Sequence, residues 1–406
     1  WSIGLSCLFT MLFTIDSLAS FTTIAQRMAT GLDSFSLLAI PFFILAGQIM
    51  NQGGIANRLI DFAKALIGSL PGGLIYVNVV AAMLFGAIAG SAAAAASAIG
   101  GILGPHMEEE NYSREFGAAI NVTSSTTGLI IPPSNVLIVY SLASGGVSIA
   151  SLFLAGYLPG ILMGLALMLT ASFWIKKKKY PAGNSTSIGR IFSTFLRALP
   201  SLLLLVVVIG GIVSGIFTAT EASGIAVLYT FILALIYGEL NRKVLYDIFL
   251  NSIGTTAIVM LLIATSMSMS WVMSYESIPQ SVSEALLTLS DNKYVILLII
   301  NLLLLFVGTF MDMTPAVLIF TPIFLPVLQN LGVDPVHFGI LMVMNLCVGL
   351  CTPPVGSVLF IGVSVAKTTI QKVMKPLLPL YVVMAIVLLM VTFIPAISLW
   401  LPSLFE

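Results

Sequence analysis

The sequence predicts an all-α polytopic membrane protein built from inverted repeats, with two re-entrant hairpins and two broken helices. Three observations carry that expectation. First, the 406 residues are 59% hydrophobic and only 8% charged, with a mean hydropathy of +1.11, whereas a soluble domain carries about 25% charged residues. Such a chain cannot cover a soluble surface. Its solvent is lipid, and its length suffices for about a dozen spans. Second, one pattern occurs twice: Thr126 to Asn135 reads TTGLIIPPSN and Val348 to Ser357 reads VGLCTPPVGS. Each has Gly, three residues, then Pro-Pro. A double proline removes two backbone donors and fixes φ, so a helix cannot run through it intact. Third, the copies lie 221 residues apart, about half the chain. Two broken helices at corresponding places in two halves are the best sequence pointer to a binding site in a membrane protein.

The halves match beyond Pro-Pro. At an offset of 222, Gly86 meets Gly308 and Phe116-Gly117 meets Phe338-Gly339. Each half then reads in one order, starting with an amphipathic segment, Ile55 to Leu70 or Val282 to Leu289. An apolar helix ending at Gly86 or Gly308 follows, then a break with small or polar residues, a return segment and the Pro-Pro helix. Met83 to Gly104 would cross the membrane only if the Gly90-Ser91 and Gly100-Gly101 pairs stayed helical. Pro315, Pro322 and Pro326 crowd the equivalent stretch of the second half. Both are read as re-entrant hairpins whose tips meet in the membrane interior, where irregular backbone is tolerated only inside protein or beside water. The repeats span roughly Ile40 to Leu154 and Thr256 to Lys375. An odd number of crossings between equivalent points inverts the second copy.

Between the halves lie Lys176, Lys177, Lys178, Lys179, Arg190 and Arg197, with no acid among them. The positive-inside rule puts this loop in the cytoplasm, and Pro181, Gly183, Asn184 and Ser185 make it flexible. Thr218 with Glu221 fits a capping box opening the next apolar helix. The start is read as an apolar run, not a cleavable signal peptide. With Trp1 in place of an initiator Met, residues upstream are expected, a first helix or a fused partner. Formal charge is zero, 16 basic against 16 acidic residues, so nothing suggests nucleic acid. Cys7, Cys347 and Cys351 are too few for a disulfide framework. Cys347 and Cys351 share a helical face and read as small core residues; a metal pair lacks His or carboxylate partners nearby.

The breaks are rich in oxygen ligands. The first offers Ser91, Asn121, Thr123, Ser124, Ser125, Thr126, Thr127, Ser134 and Asn135; the second offers Asp312, Thr314, Asn345, Thr352 and Ser357. Oxygen-only sites suit hard cations, and unwound carbonyls are how broken helices hold sodium. Gly86, Gly128, Ile131 and Pro132 could frame one ion, and Gly308, Gly349, Thr352 and Val355 a second. The alternative is that these glycines only permit close helix crossing. Asp312 stands in an apolar context, GTFMDMTPA, with no basic residue nearby. An ionisable group buried in a membrane is a functional candidate by default, although Asp312 before Pro315 also reads as an N-cap. Half-helices starting after Pro-Pro present free N–H groups and a positive dipole end, which favours an anionic, carboxylate-bearing ligand. The candidate substrate set is Ser91, Ser124, Ser134, Asn135, Asp312, Thr314 and Asn345. Glu108, Glu109, Glu110, Arg114 and Glu115 read as a solvated loop. His106 and His337 border loops without a proton-relay role.

Several stretches together resemble one family. They are PFFILAGQIMNQGGIANRL (Pro41 to Leu59), GIFTATEASGIAV (Gly215 to Val227), FMDMTPAVLIFTPIFLPVL (Phe310 to Leu328) and both Pro-Pro segments. They look like the large membrane subunit of tripartite ATP-independent periplasmic (TRAP) transporters, from near Ser2 to the C-terminus. The resemblance implies a multi-pass protein of a bacterial inner membrane and sodium-driven import of organic acids such as C4-dicarboxylates or sialic acid. Na+ is the implied coupling ion. The implied partners are a small four-helix membrane subunit, separate or fused, and a periplasmic substrate-binding protein. It also implies an elevator-type transport domain plus scaffold. On that division residues 1–70 are scaffold and arm helices, 71–150 the first repeat of the transport domain, and 151–289 scaffold and arm helices with the basic loop. Residues 290–372 are then the second repeat and 373–406 C-terminal scaffold helices. Two other readings compete: an intramembrane enzyme using Asp312, whose only candidate second carboxylate, Glu221, fits a cap, and a passive anion channel. Sodium-dependent concentrative uptake separates the first reading from both.

Overall fold

The computed structural model describes residues 1–178, 180 and 187–405. Lys179, Pro181, Gly183, Asn184 and Ser185 of the expected basic loop lie outside the described residues. Among the described residues the regular elements are helices. α1 (Ser2–Thr14) and α2 (Ser17–Leu32) lead through one 3-10 turn to α3 (Ala39–Gln52) and α4 (Ile55–Ile67). α5 (Gly73–Ala89) and α6 (Ala92–Glu109) form the first hairpin. The first broken helix is α7 (Arg114–Ser125), α8 (Thr127–Ile130) and α9 (Asn135–Ala143), bent by 51° at its break. Then come α10 (Ile149–Lys178), α11 (Ile188–Val213), α12 (Ala219–Ile236), α13 (Arg242–Tyr275) and α14 (Ile278–Leu289). α15 (Lys293–Gly308) and α16 (Met313–Asn330) form the second hairpin, and α17 (Pro335–Leu350) with α18 (Ser357–Val365) the second broken helix. α19 (Ile370–Phe393) and α20 (Ala396–Leu399) close the chain. Seven described helices are long and apolar enough to cross a membrane, and the bent pair makes an eighth. That is fewer than the dozen expected from length, because hairpin arms and half-helices use up apolar sequence in shorter pieces.

Local chemistry explains the breaks. α5 runs three residues past Gly86 and stops where Gly90 takes φ +60°, a conformation a side chain disfavours. Ser91 then caps α6, its Oγ accepting from the Ala94 N–H at 3.3 Å. Gly100 and Gly101 stay inside α6, so only one of the two glycine pairs breaks the segment. α15 does end at Gly308, and Pro322 and Pro326 remain within α16. Both Pro-Pro breaks interrupt their helices as expected, and both peptide bonds are cis.

The halves interlock. α6 packs on α18 and α16 packs on α9, so each hairpin's returning arm lies against the half-helix after the other half's Pro-Pro. Cys347 Sγ lies 3.4 Å from the Thr126 carbonyl and Cys351 Sγ 3.5 Å from the Val122 carbonyl, which sets the two broken helices side by side. α10 packs on α5, α7, α8, α9 and α17, and α19 on α7, α10 and α17, so both lie against the hairpins and broken helices. Glycine explains the approach: Gly156 and Gly160 bring the α10 backbone onto Ile130 and Ile131, as small residues do in membranes. A second layer pairs α3 with α12 and α13, α4 with α11, and α1 and α2 with α13.

In that second layer the capping box of α12 is complete. The Thr218 N–H donates to Glu221 Oε2 at 2.8 Å and the Glu221 N–H to Thr218 Oγ1 at 3.3 Å. Thr218→Ala is expected to lower stability by about 1 kcal/mol, read as thermal unfolding in detergent, and to leave transport activity unchanged.

Candidate functional site

The two hairpin tips meet. Gly90 and Ser91 from the first, and Asp312 and Thr314 from the second, line one cleft of about 220 Å³ together with Asn135, Gln48, Asn51 and Thr255. A smaller cleft of about 140 Å³ shares Gly90, Ser91, Asp312 and Thr314 and adds Ser357. The clefts thus flank the tips, and each reaches the first residue of one half-helix, Asn135 of α9 or Ser357 of α18. The opening amides of a helix have no partner within it, so these positions suit an anion. The residues lining both clefts include no Lys or Arg. Hydroxyls, amides and backbone N–H groups are the recognition chemistry on offer. Gly90 is needed here twice: besides its positive φ, a Cβ would sit 2.8 Å from Asn135 Nδ2.

Asp312 occupies the N-cap position of α16, but its side chain accepts no capping bond. It is also exposed in the isolated chain, where sequence reasoning expected burial. At the tip turn Asp312 lines both clefts, a location that hydropathy cannot predict.

Four members of the expected substrate set come together: Ser91, Asn135, Asp312 and Thr314. Ser124, Ser134 and Asn345 do not line either cleft. All three are buried and committed to internal bonds. Ser124 Oγ donates to Asn78 Oδ1 at 2.9 Å and Ser134 Oγ to the Leu129 carbonyl at 2.6 Å. Asn345 Nδ2 donates to Asn301 Oδ1 at 2.8 Å and to its carbonyl at 2.9 Å. Buried polar groups seek partners: Ser124 and Asn345 Nδ2 find theirs on the neighbouring α5 and α15, Ser134 within its own broken helix, and Asn345 Oδ1 accepts no bond among the described residues.

These bonds expose a feature the sequence reading missed. Asn78 on α5 bonds Asn121 on α7 at 3.4 Å, as Asn301 on α15 bonds Asn345 on α17. Each half ties its hairpin's first arm to its broken helix through two asparagines. A lone Asn inside an apolar helix, eight residues before Gly86 or seven before Gly308, was the available signal.

The glycine quartets are also brought together. A Cβ on Gly86 would lie 2.8 Å from the Gly128 Cα, and a Cβ on Gly308 would lie 3.2 Å from the Gly349 Cα. Ile131 and Pro132 continue from Gly128 along the α10 glycines. In the second half the Val355 N–H donates to the Thr309 carbonyl at 3.2 Å. The side chain of Val355 is exposed, so only its backbone can serve an ion. Thr352 Oγ1 donates to the Val348 carbonyl at 2.7 Å, which leaves its lone pairs free to accept or coordinate. The Gly86 carbonyl accepts from Gly90 and the Gly349 carbonyl from Thr352, each at 2.9 Å, and each retains a second lone pair. Close approach of Gly86 to Gly128 and of Gly308 to Gly349 thus occurs at matching places in the two halves.

The remaining candidates are structural. Glu108 and Arg114 form an exposed ion pair at 2.8 Å, with side chains 43% and 50% exposed, as a solvated loop requires. His106 is exposed. His337 is buried, with Nδ1 2.7 Å from Ser398 Oγ.

Interlocked hairpins, two broken helices and a polar cleft at their tips define a multi-pass membrane transport protein. The chain belongs to the family described as "Tripartite ATP-independent periplasmic transporter, DctM component", whose sequence model matches residues 1–397. It is similar to the Salmonella typhimurium protein named "Uncharacterized protein YgiK", 57% identical over 405 residues, 100% of this chain and 93% of that one. It is 40% identical to the C4-dicarboxylate TRAP transporter large permease protein DctM of Pseudomonas aeruginosa, over 99% of this chain and 94% of the relative. It is 42% identical to the isethionate TRAP transporter permease protein DctMQ of Oleidesulfovibrio alaskensis, where the match covers 93% of this chain but spans only 60% of the relative's length. Among solved structures, the YdaH transporter of Alcanivorax borkumensis shares the fold, with a TM-score of 0.72 at 14% identity over 96% of this chain and 89% of that one. Membership of this family, with seven long apolar helices, makes it a multi-pass protein of the inner membrane.

Proposed function

We propose that this chain is the permease of a sodium-coupled importer of a small organic acid anion, of the C4-dicarboxylate or sialic acid type. A periplasmic substrate-binding protein delivers the anion, and a small four-helix membrane subunit completes the membrane complex. The observation that carries the reading is the tip cleft, where Ser91, Asn135, Asp312 and Thr314 converge in a family of transporters. A cleft without a basic side chain holds an anion through amides and hydroxyls, and sodium at the neighbouring breaks supplies the missing positive charge. The substrates for which two relatives are named, C4-dicarboxylate and isethionate, are small acids of this kind. DctMQ is longer than this chain, which leaves room for a fused small subunit in that relative. The hairpins, broken helices, α10 and α19 form the moving body of an elevator, and α3, α4 and α11 to α13 the static one. Nothing in this cycle requires bond chemistry, so the protein is read as a transporter and not an enzyme.

The test is uptake of labelled succinate and sialic acid into proteoliposomes holding the permease with its two partner proteins. Uptake above the external concentration is expected when sodium is high outside, and none with potassium alone. Uptake indifferent to sodium overturns the coupling.

A further inference from the structure

The two breaks are held differently. In the first, Ser134 lies just past Pro-Pro and its hydroxyl donates back to the Leu129 carbonyl at 2.6 Å, so this break is tied internally. The residue 221 positions on is Val355, which has no hydroxyl. The second break is also tied internally, by Thr352 Oγ1 on the Val348 carbonyl at 2.7 Å, but it takes a further side-chain bond from outside: the Tyr381 hydroxyl on α19 donates to the Cys351 carbonyl. α10 and α19 begin at Ile149 and Ile370, again 221 residues apart. The position on α10 that matches Tyr381 is therefore Gly160, whose added Cβ would collide with Ile131 of the first break. One repeat has a serine in the break and a glycine behind it. The other has a valine in the break and a tyrosine behind it.

We propose that Tyr381 is the positioning residue of the second sodium site. The inference rests on the sodium reading above. The Cys351 carbonyl belongs to the peptide that leads into Thr352. The N–H of that peptide donates to the Gly349 carbonyl at 2.9 Å, so fixing it holds Thr352 and Gly349 in one arrangement. Without the phenol the Cys351 carbonyl loses its outside partner, and the ion must then organise the break itself. The second site's affinity thus depends on a neighbouring helix.

The experiment is a sodium titration of thermal stability, on the purified permease with its small membrane subunit, with potassium replacing sodium to hold ionic strength. Tyr381→Phe removes only the hydroxyl. Tyr381→Met, also without a donor, is the second variant. Tyr229→Phe is the control, because Tyr229 makes the same kind of bond to the Pro200 carbonyl at 2.7 Å, between α12 and α11. The half-saturating sodium concentration is expected to rise roughly threefold to tenfold in both Tyr381 variants, the scale of one neutral hydrogen bond. The control and the substrate KM at saturating sodium should not move. A sodium midpoint equal to wild type in the Tyr381 variants overturns the proposal, as does an equal shift in the control. Loss of folded protein in both Tyr381 variants also overturns it, by making the hydroxyl a general structural need. Absence of any sodium response in the wild type is a different outcome, which removes the coupling reading itself.

Discussion

Gly349→Val is expected to abolish sodium-driven uptake. A Cβ at Gly349 would lie 2.7 Å from both the Cα and the carbonyl carbon of Gly308, and 2.8 Å from its oxygen. All three are backbone atoms at the end of α15, so no flexible side chain can yield. The helix end and the break must separate, and the two carbonyls proposed to share an ion separate with them. Overpacking costs about 1–3 kcal/mol, so a lower melting temperature alone would not identify an ion site. The discriminating quantity is the sodium-induced rise in melting temperature measured against each variant's own sodium-free baseline. A ligand that binds only the folded state stabilises it in proportion to the logarithm of its concentration over Kd. Gly349→Val should lose that rise together with uptake. Gly210→Ala, placed where an added Cβ meets nothing within 4 Å, should keep both. If Gly349→Val retains its sodium response and its rate, the close approach of Gly308 and Gly349 is a packing contact only.

Much of this arrangement was legible in the residues. Pro-Pro twice, preceded by Gly at the same spacing, announced two broken helices, because two adjacent prolines remove two successive backbone donors, whereas single prolines such as Pro322 and Pro326 stay inside α16. The serine–glycine and aspartate–threonine tips were legible for a similar reason: each breaks a helix locally. What failed to show depends on partners. Hydropathy gives α10 and α19 as ordinary spans and says nothing of what they pack against. That follows from Gly156 and Gly160 meeting Ile130 and Ile131 across space. Ser124, Ser134 and Asn345 look like ligands in sequence because they are polar residues near breaks. In the structure their bonds close on Asn78, Leu129 and Asn301, of which only the two asparagines could have been suspected. Gly100-Gly101 shows the reverse error. A glycine pair permits a break without requiring one, and α6 runs through it.

Asp312→Asn is expected to cut transport roughly ten- to a hundredfold while leaving the fold intact. The carboxylate lines the clefts on both sides of the tip, and its capping position is unused by its side chain. The loss of a cap, about 0.5–2 kcal/mol where a cap bond exists, therefore should not appear. Nor does the mutation create an unsatisfied buried group, since Asp312 is exposed and the Asn amide can be solvated. What changes is charge. A carboxylate beside an anion site repels the substrate unless a cation or a donor of the substrate sits between them, so its presence makes sense only if an ion or a hydroxyl bridges. A hydrogen bond to a charged group is worth about 1.5–3 kcal/mol, which corresponds to roughly ten- to a hundredfold in rate or affinity. Uptake should fall by that factor, with expression in the membrane and the melting temperature in detergent both near wild type. The sodium dependence of the residual activity then tells which partner was lost. A raised sodium requirement assigns Asp312 to the ion, and an unchanged requirement with a raised substrate KM assigns it to the substrate's own donors. Uptake at the wild-type rate would reduce Asp312 to the residue that happens to begin α16.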